Sequence, residues 1–102
     1  MPYIISHAYY PPTQANNVSK RYLETFKKLP LLSSIKRVIP AAVTSSEKGI
    51  EVMMVDEVKT ENQGEAINYL AKFLIEFRDI EGFRYSIHSW STLNEAMGYI
   101  GM

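Results

Sequence analysis

Residues 50–55 read Ile-Glu-Val-Met-Met-Val, a strand-like run that is apolar on both of its faces. Side chains alternate across a strand, so Val52 and Met54 point one way while Met53 and Val55 point the other. A strand of this kind is normally central and covered from both sides. Upstream, residues 35–44 form a second period-2 stretch that contains Pro40, and Ser45-Ser46-Glu47-Lys48-Gly49 between the two suits a hairpin turn. Proline cannot donate to a ladder, which sends that strand to an edge or a bulge. Period-2 patterns recur at residues 3–10 and 83–90, and period-3.6 patterns fill residues 14–29 and 63–78. The order is β-α-β-β-α-β.

Local signals punctuate these segments. Pro11-Pro12 ends the first strand, Thr13 is positioned to cap the first helix, and Pro30 stops it. Ala15, Val18, Tyr22, Phe26 and Leu29 make its apolar stripe. Asn62 and Glu65 have capping-box spacing ahead of a second stripe of Ala66, Ile67, Leu70, Phe73, Leu74 and Phe77. After the last strand, Thr92 and Glu95 repeat that spacing and open a short third helix with Leu93, Ala96, Met97 and Ile100. That helix is expected to pack on its own domain.

The chain's 102 residues suit a single domain, 1–102, which buries roughly two-thirds of its unfolded surface. Lys plus Arg and Asp plus Glu number 11 each, so there is no broad positive field for nucleic acid or an anionic membrane. Cysteine is absent, which removes disulfides and thiolate chemistry. No apolar run approaches the 18 residues of a membrane span, and no secretory signal pattern opens the chain. The expectation is a cytoplasmic protein.

Two right-handed β-α-β units sharing a hairpin give a four-stranded antiparallel sheet of order 4-1-3-2, with both helices on one face. Over nearly its whole length the chain resembles the ferredoxin-like α+β folds. The face without helices is then too apolar for water, because the third strand offers Met53 and Val55 there or Val52 and Met54. A second copy could cover it through an interface on the order of 2,000 Å² or more. In this the chain is similar to the dimeric α/β-barrel superfamily, which includes small monooxygenases, haem-degrading enzymes and many uncharacterised domains. The resemblance implies a homodimer that pairs through the open sheet face. It is a resemblance of pattern and implies no particular activity.

Candidate chemistry centres on the two histidines, His7 on the first strand and His88 on the fourth, which neighbour each other in the expected order. Together with Tyr3, Tyr9, Arg84 and Trp90 they could line a small-molecule pocket between two sheets. An imidazole near its ordinary pKa can act as acid, base or ligand. The plainer alternative makes both histidines interface residues bonded to a neighbour. No metal is expected, since two histidines without fixed spacing make no ligand signature, and Asp56 is better employed pairing with Arg37 across the hairpin. Haem-degrading barrels use an Asn, a Trp and a His in that chain order; here the only tryptophan, Trp90, follows both histidines. No cofactor is expected. Neither a nucleophile elbow nor a phosphate loop occurs. The expected function is binding of a small apolar or aromatic molecule between sheets, or assembly alone. The alternative is a cofactor-independent monooxygenase- or isomerase-like enzyme moving protons with His7 or His88.

Overall fold

A computed structural model describes residues 1–101. Its strands are β1 (Tyr3–Tyr10), β2 (Ile35–Ser46), β3 (Gly49–Val58) and β4 (Arg84–Trp90); its helices are α1 (Ala15–Lys28), α2 (Gln63–Ile75) and α3 (Leu93–Tyr99). All neighbouring strands run antiparallel, in the order β2-β3-β1-β4.

The ferredoxin-like assignment needs correction. The structure is an α+β fold with this four-stranded sheet and three helices, and 4-1-3-2 is the same order read from the opposite edge. A compact sandwich of four matched strands under two helices is not what forms. β2 runs for 12 residues, past the expected end at Thr44, because Thr44, Ser45 and Ser46 pair with Glu51, Ile50 and Gly49. Residues 41–48 are exposed throughout, so the far half of β2 pairs with β3 but gains no helical cover, and the molecule measures 49 × 32 × 19 Å. α1 buries only Val18 and Thr25 fully. Pro40 falls in edge strand β2, where the register slips between Ile39 and Ala42.

Ile4, Ser6, Ala8 and Tyr10 of β1 and Met54, Asp56 and Val58 of β3 are buried beneath the helices. Ala66, Tyr69, Leu70, Phe73 and Leu74 of α2 cover them. Fully burying one large apolar side chain contributes about 1.5–3 kcal/mol, so α2 anchors the layer. An aromatic chain crosses it. Phe83 stacks on Phe77 at 4.9 Å between ring centroids and on Tyr10 at 6.3 Å, and Phe73 meets Tyr69, Tyr22 and Phe26. Phe83 does this from just outside β4, one residue before the strand begins.

Two expected caps do not form. Short 3-10 turns at Pro12–Gln14 and Thr60–Asn62 lead into α1 and α2, so Thr13 lies inside a turn and Asn62 makes no side-chain cap. The third cap does form: Thr92 Oγ1 accepts from the Glu95 amide, and the Glu95 carboxylate accepts from the Thr92 amide. α3 itself packs poorly. Leu93 and Ile100 are 75% and 71% exposed, and only Met97 of its apolar residues is half-buried.

The expected Arg37–Asp56 pair spans β2 and β3 and turns out to be an interior contact. Arg37 Nε and Nη2 donate to the two Asp56 carboxylate oxygens at 2.7 and 3.1 Å, and the Asp56 side chain is fully buried. Burial works against the Arg37 charge, but the hydrogen bond and charge of Asp56 outweigh it and raise its pKa. Nearby, the Tyr69 hydroxyl donates to the Leu29 carbonyl at 2.7 Å, tying α2 to the end of α1, and burial raises its pKa. On the outer side Arg21 grips Asp79 through two hydrogen bonds of 2.6 and 3.0 Å, and Lys28 pairs with Glu76.

Deleting one member of a desolvated pair strands the other. Asp56→Ala should therefore cost about 3–5 kcal/mol in urea unfolding, and Arg37→Met combined with Asp56→Leu should cost less than Asp56→Ala alone. The outer clamp predicts an acid dependence. The Arg21 hydrogen bonds hold the Asp79 carboxyl at about 2, against an ordinary 3.8. Its contribution is complete above pH 3.8 and disappears as pH falls through about 2. A carboxyl titration by NMR should find that low value in the native protein, and Arg21→Gln should return it toward normal.

Candidate functional site

The face of the sheet that carries no helix is laid out by cross-strand register. Directly opposed residues in antiparallel strands share a face. Four rows result. The first is Thr44, Glu51, Tyr9 and Arg84; the second is Ala42, Met53, His7 and Ser86. Then come Ile39, Val55, Ile5 and His88, and finally Lys36, Glu57, Tyr3 and Trp90. The middle rows are largely apolar, with the two histidines set into them, and the end rows carry the charges and most of the aromatics.

All six residues singled out from the sequence lie on this face, but they do not form one cluster. Tyr3 and Trp90 are paired at one end, and Tyr9 and Arg84 at the other. His7 and His88 stand in adjacent rows as diagonal neighbours, a spacing of about 7–8 Å. Ile5, His7, Tyr9, Met53 and Val55 are half-buried by their neighbours alone, while Trp90 remains 55% exposed.

Polar contacts concentrate around His7. Its Nδ1 lies 3.4 Å from the Tyr9 hydroxyl and 4.0 Å from the Glu51 carboxylate, and the two rings meet edge to face at 6.3 Å. The tautomer of the imidazole decides which group donates to which. On the other side of Tyr9, the Arg84 guanidinium sits over the phenol ring, 5.7 Å from its centroid. Here Tyr9, Lys48, Arg84, Tyr85 and Ser86 line a cleft of about 230 Å³. A shallow hollow of similar size lies along the β2–β3 hairpin against Met53 and Glu51. The larger hollows are on the helical side: one of about 700 Å³ beside Leu29, Leu32 and Tyr69, and a polar one of about 480 Å³ around Arg21 and Asp79. No group of three or more His, Cys, Asp and Glu among the described residues is arranged to hold a metal ion, and no helix is long and apolar enough to cross a membrane.

Sequence reasoning overlooked Glu51, Lys48 and Ser86. Glu51 was readable, since it has the same parity along β3 as Met53 and Val55. Lys48 and Ser86 reach Tyr9 only through the hairpin turn and the β1–β4 register, which no local pattern reports.

Comparison with known proteins adds the fold and nothing further. No protein-family model matches the chain, and no curated protein does. The chain is similar to the solved structure of the de novo designed protein Foldit4, with a TM-score of 0.55 and 13% identity, covering 89% of this chain and 96% of that one. A DUF3240 family protein from Shewanella baltica aligns over 90% of both chains at 15% identity, with a TM-score of 0.39. The likeness to the designed protein concerns the fold alone.

Lys48 is held at the cleft by the turn that carries it. Gly49 has φ of +109°, and a Cβ there would stand 2.6 Å from the Tyr10 carbonyl oxygen, so only glycine fits. Gly49→Ala should destabilise the protein by roughly 1–3 kcal/mol and displace the Glu47 and Lys48 amide resonances more than those of α2.

Proposed function

We propose that the chain is a homodimeric module that pairs the bare faces of two sheets and holds a small apolar or aromatic molecule between them. One observation carries this reading: Ile5, Met53 and Val55 form an apolar centre flanked by Tyr3, Tyr9 and Trp90, on a face that the chain's own helices leave uncovered. Four strands at about 4.8 Å spacing and eight residues at about 3.3 Å give a patch of roughly 500 Å² in plan. With side-chain relief added, this approaches the roughly 800 Å² that each partner buries in a standard interface.

The charges on the face also favour a second copy as its cover. A twofold axis lying along the strands would set β3 of one copy over β1 of the other. Val55 would then meet the partner's Ile5, Met53 the partner's His7, and Lys36 the partner's Trp90, with no like charges opposed. An axis across the strands would stack Glu51 on the partner's Glu57, which like-charge repulsion disfavours. The exposed apolar residues of α3 lie at the Trp90 end, where they could border the same contact.

A second reading is proton transfer at His7, favoured by the approach of the Glu51 carboxylate and the Tyr9 hydroxyl to one imidazole nitrogen. On that reading His7→Ala abolishes turnover of a substrate and leaves pairing intact.

Sedimentation velocity at micromolar concentration should give the mass of two chains. Met53→Glu places a charge at the centre of the contact and should yield a folded single subunit, with circular dichroism unchanged. A wild-type protein that sediments as one chain would overturn the pairing.

A further inference from the structure

The corner of the bare face around Tyr9 differs from the rest in charge. Arg84 and Lys48 both line the 230 Å³ cleft there, and neither takes part in any ion pair among the described residues. Arg21, Lys28 and Arg37 are paired with Asp79, Glu76 and Asp56, whereas Lys20, Lys27, Lys36, Lys59, Lys72 and Arg78, like Arg84 and Lys48, are in no ion pair among the described residues. What sets Arg84 and Lys48 apart is that they share one cleft. The carboxylate closest in the register, Glu51, stands on the far side of Tyr9 and approaches His7 instead. The cleft therefore combines two unneutralised cations, the hydroxyl-bearing Ser86 and the aromatic ring of Tyr9.

We propose that this cleft binds the anionic group of a small aromatic acid, a carboxylate or a phosphate, with Arg84 and Lys48 as its ligands and Tyr9 as the surface for its ring. This rests on the reading of the bare face as a ligand-holding surface and adds the charge and polarity of the ligand. The planar guanidinium presents paired donors that match a carboxylate or phosphate edge, and Lys48 supplies a point charge at the same cleft. Arg84 is already held over the Tyr9 ring at 5.7 Å, so little of its freedom remains to be lost on binding. Gly49 fixes the turn that brings Lys48 in, which gives that glycine a role in the site as well as in the hairpin.

Benzoate, phenyl phosphate and neutral benzamide serve as probes for the full chain, read by amide chemical-shift titration with the sedimenting mass recorded on the same samples. The expected result is saturable binding of at least one of the two anions, with shifts at Tyr9, Lys48, Arg84 and Ser86, and binding of benzamide roughly tenfold weaker or worse. The preferred anion separates carboxylate from phosphate ligands. Arg84→Gln and Lys48→Gln, both exposed positions, should each weaken the anion roughly tenfold without altering the fold or the mass. Equal binding of benzamide and benzoate, or anion binding unaffected by either substitution, would overturn the proposal. A two-chain mass with no anion binding overturns it and leaves the pairing standing. A single-chain mass with anion binding lost in Arg84→Gln supports it and removes only the pairing.

Discussion

β3 has a strand on each side and apolar residues on each face, but the chain provides helices for only one of those faces. That asymmetry organises the molecule. Beneath the helices, Met54 and Val58 join an aromatic and aliphatic core built mainly on α2. On the other side Met53 lies between Ala42 and His7, and Val55 between Ile39 and Ile5, with no helix over them. Burial of apolar surface is the largest favourable contribution to folding, and an apolar strand face left wet forgoes it. The need to cover β3 twice thus sets both the core and the surface from which function is argued.

The Arg37–Asp56 pair lies at the covered side of the same strand. Two opposite charges placed there add little to stability compared with apolar residues of the same shape, but they strongly penalise any arrangement that separates them. β2 joins β3 through a ladder with two irregularities, around Arg37–Ile39 and Ile39–Ala42, so hydrophobic pattern alone holds its register loosely. A bidentate contact between Arg37 and Asp56 supplies what the pattern lacks, because a slip of one residue would turn the guanidinium to the opposite face.

Much of this was legible in the residues and some was not, for definable reasons. The alternation in β1 and β4 reports faces directly, so the side occupied by Arg84, Ser86, His88 and Trp90 follows from counting by twos. β2 outran its expected end because Thr44, Ser45 and Ser46 pair through their backbones with no apolar face to announce them. The missing caps at Thr13 and Asn62 go with 3-10 turns ahead of both helices: α1 starts one residue late, while α2 starts at Gln63 as expected but Asn62 makes no side-chain bond. α3 has a sound stripe and a formed capping box, yet Leu93 and Ile100 are exposed, since periodicity reports amphipathicity and never what lies opposite. At the candidate site, parity marks Glu51, whereas the meeting of Lys48 with Arg84 depends on residues 36 positions apart and on a turn only glycine permits.

Pro40 bears on how many copies can join. It sits in the outer strand β2, where it removes a backbone donor and interrupts the ladder on the rim of the sheet. A further strand cannot zip along that rim without losing hydrogen bonds. The opposite rim is the short strand β4, and two molecules joined there would present only proline-bearing rims to any third. Growth by strand addition is therefore blocked after one step, and a polymer of stacked edges has no route to propagate.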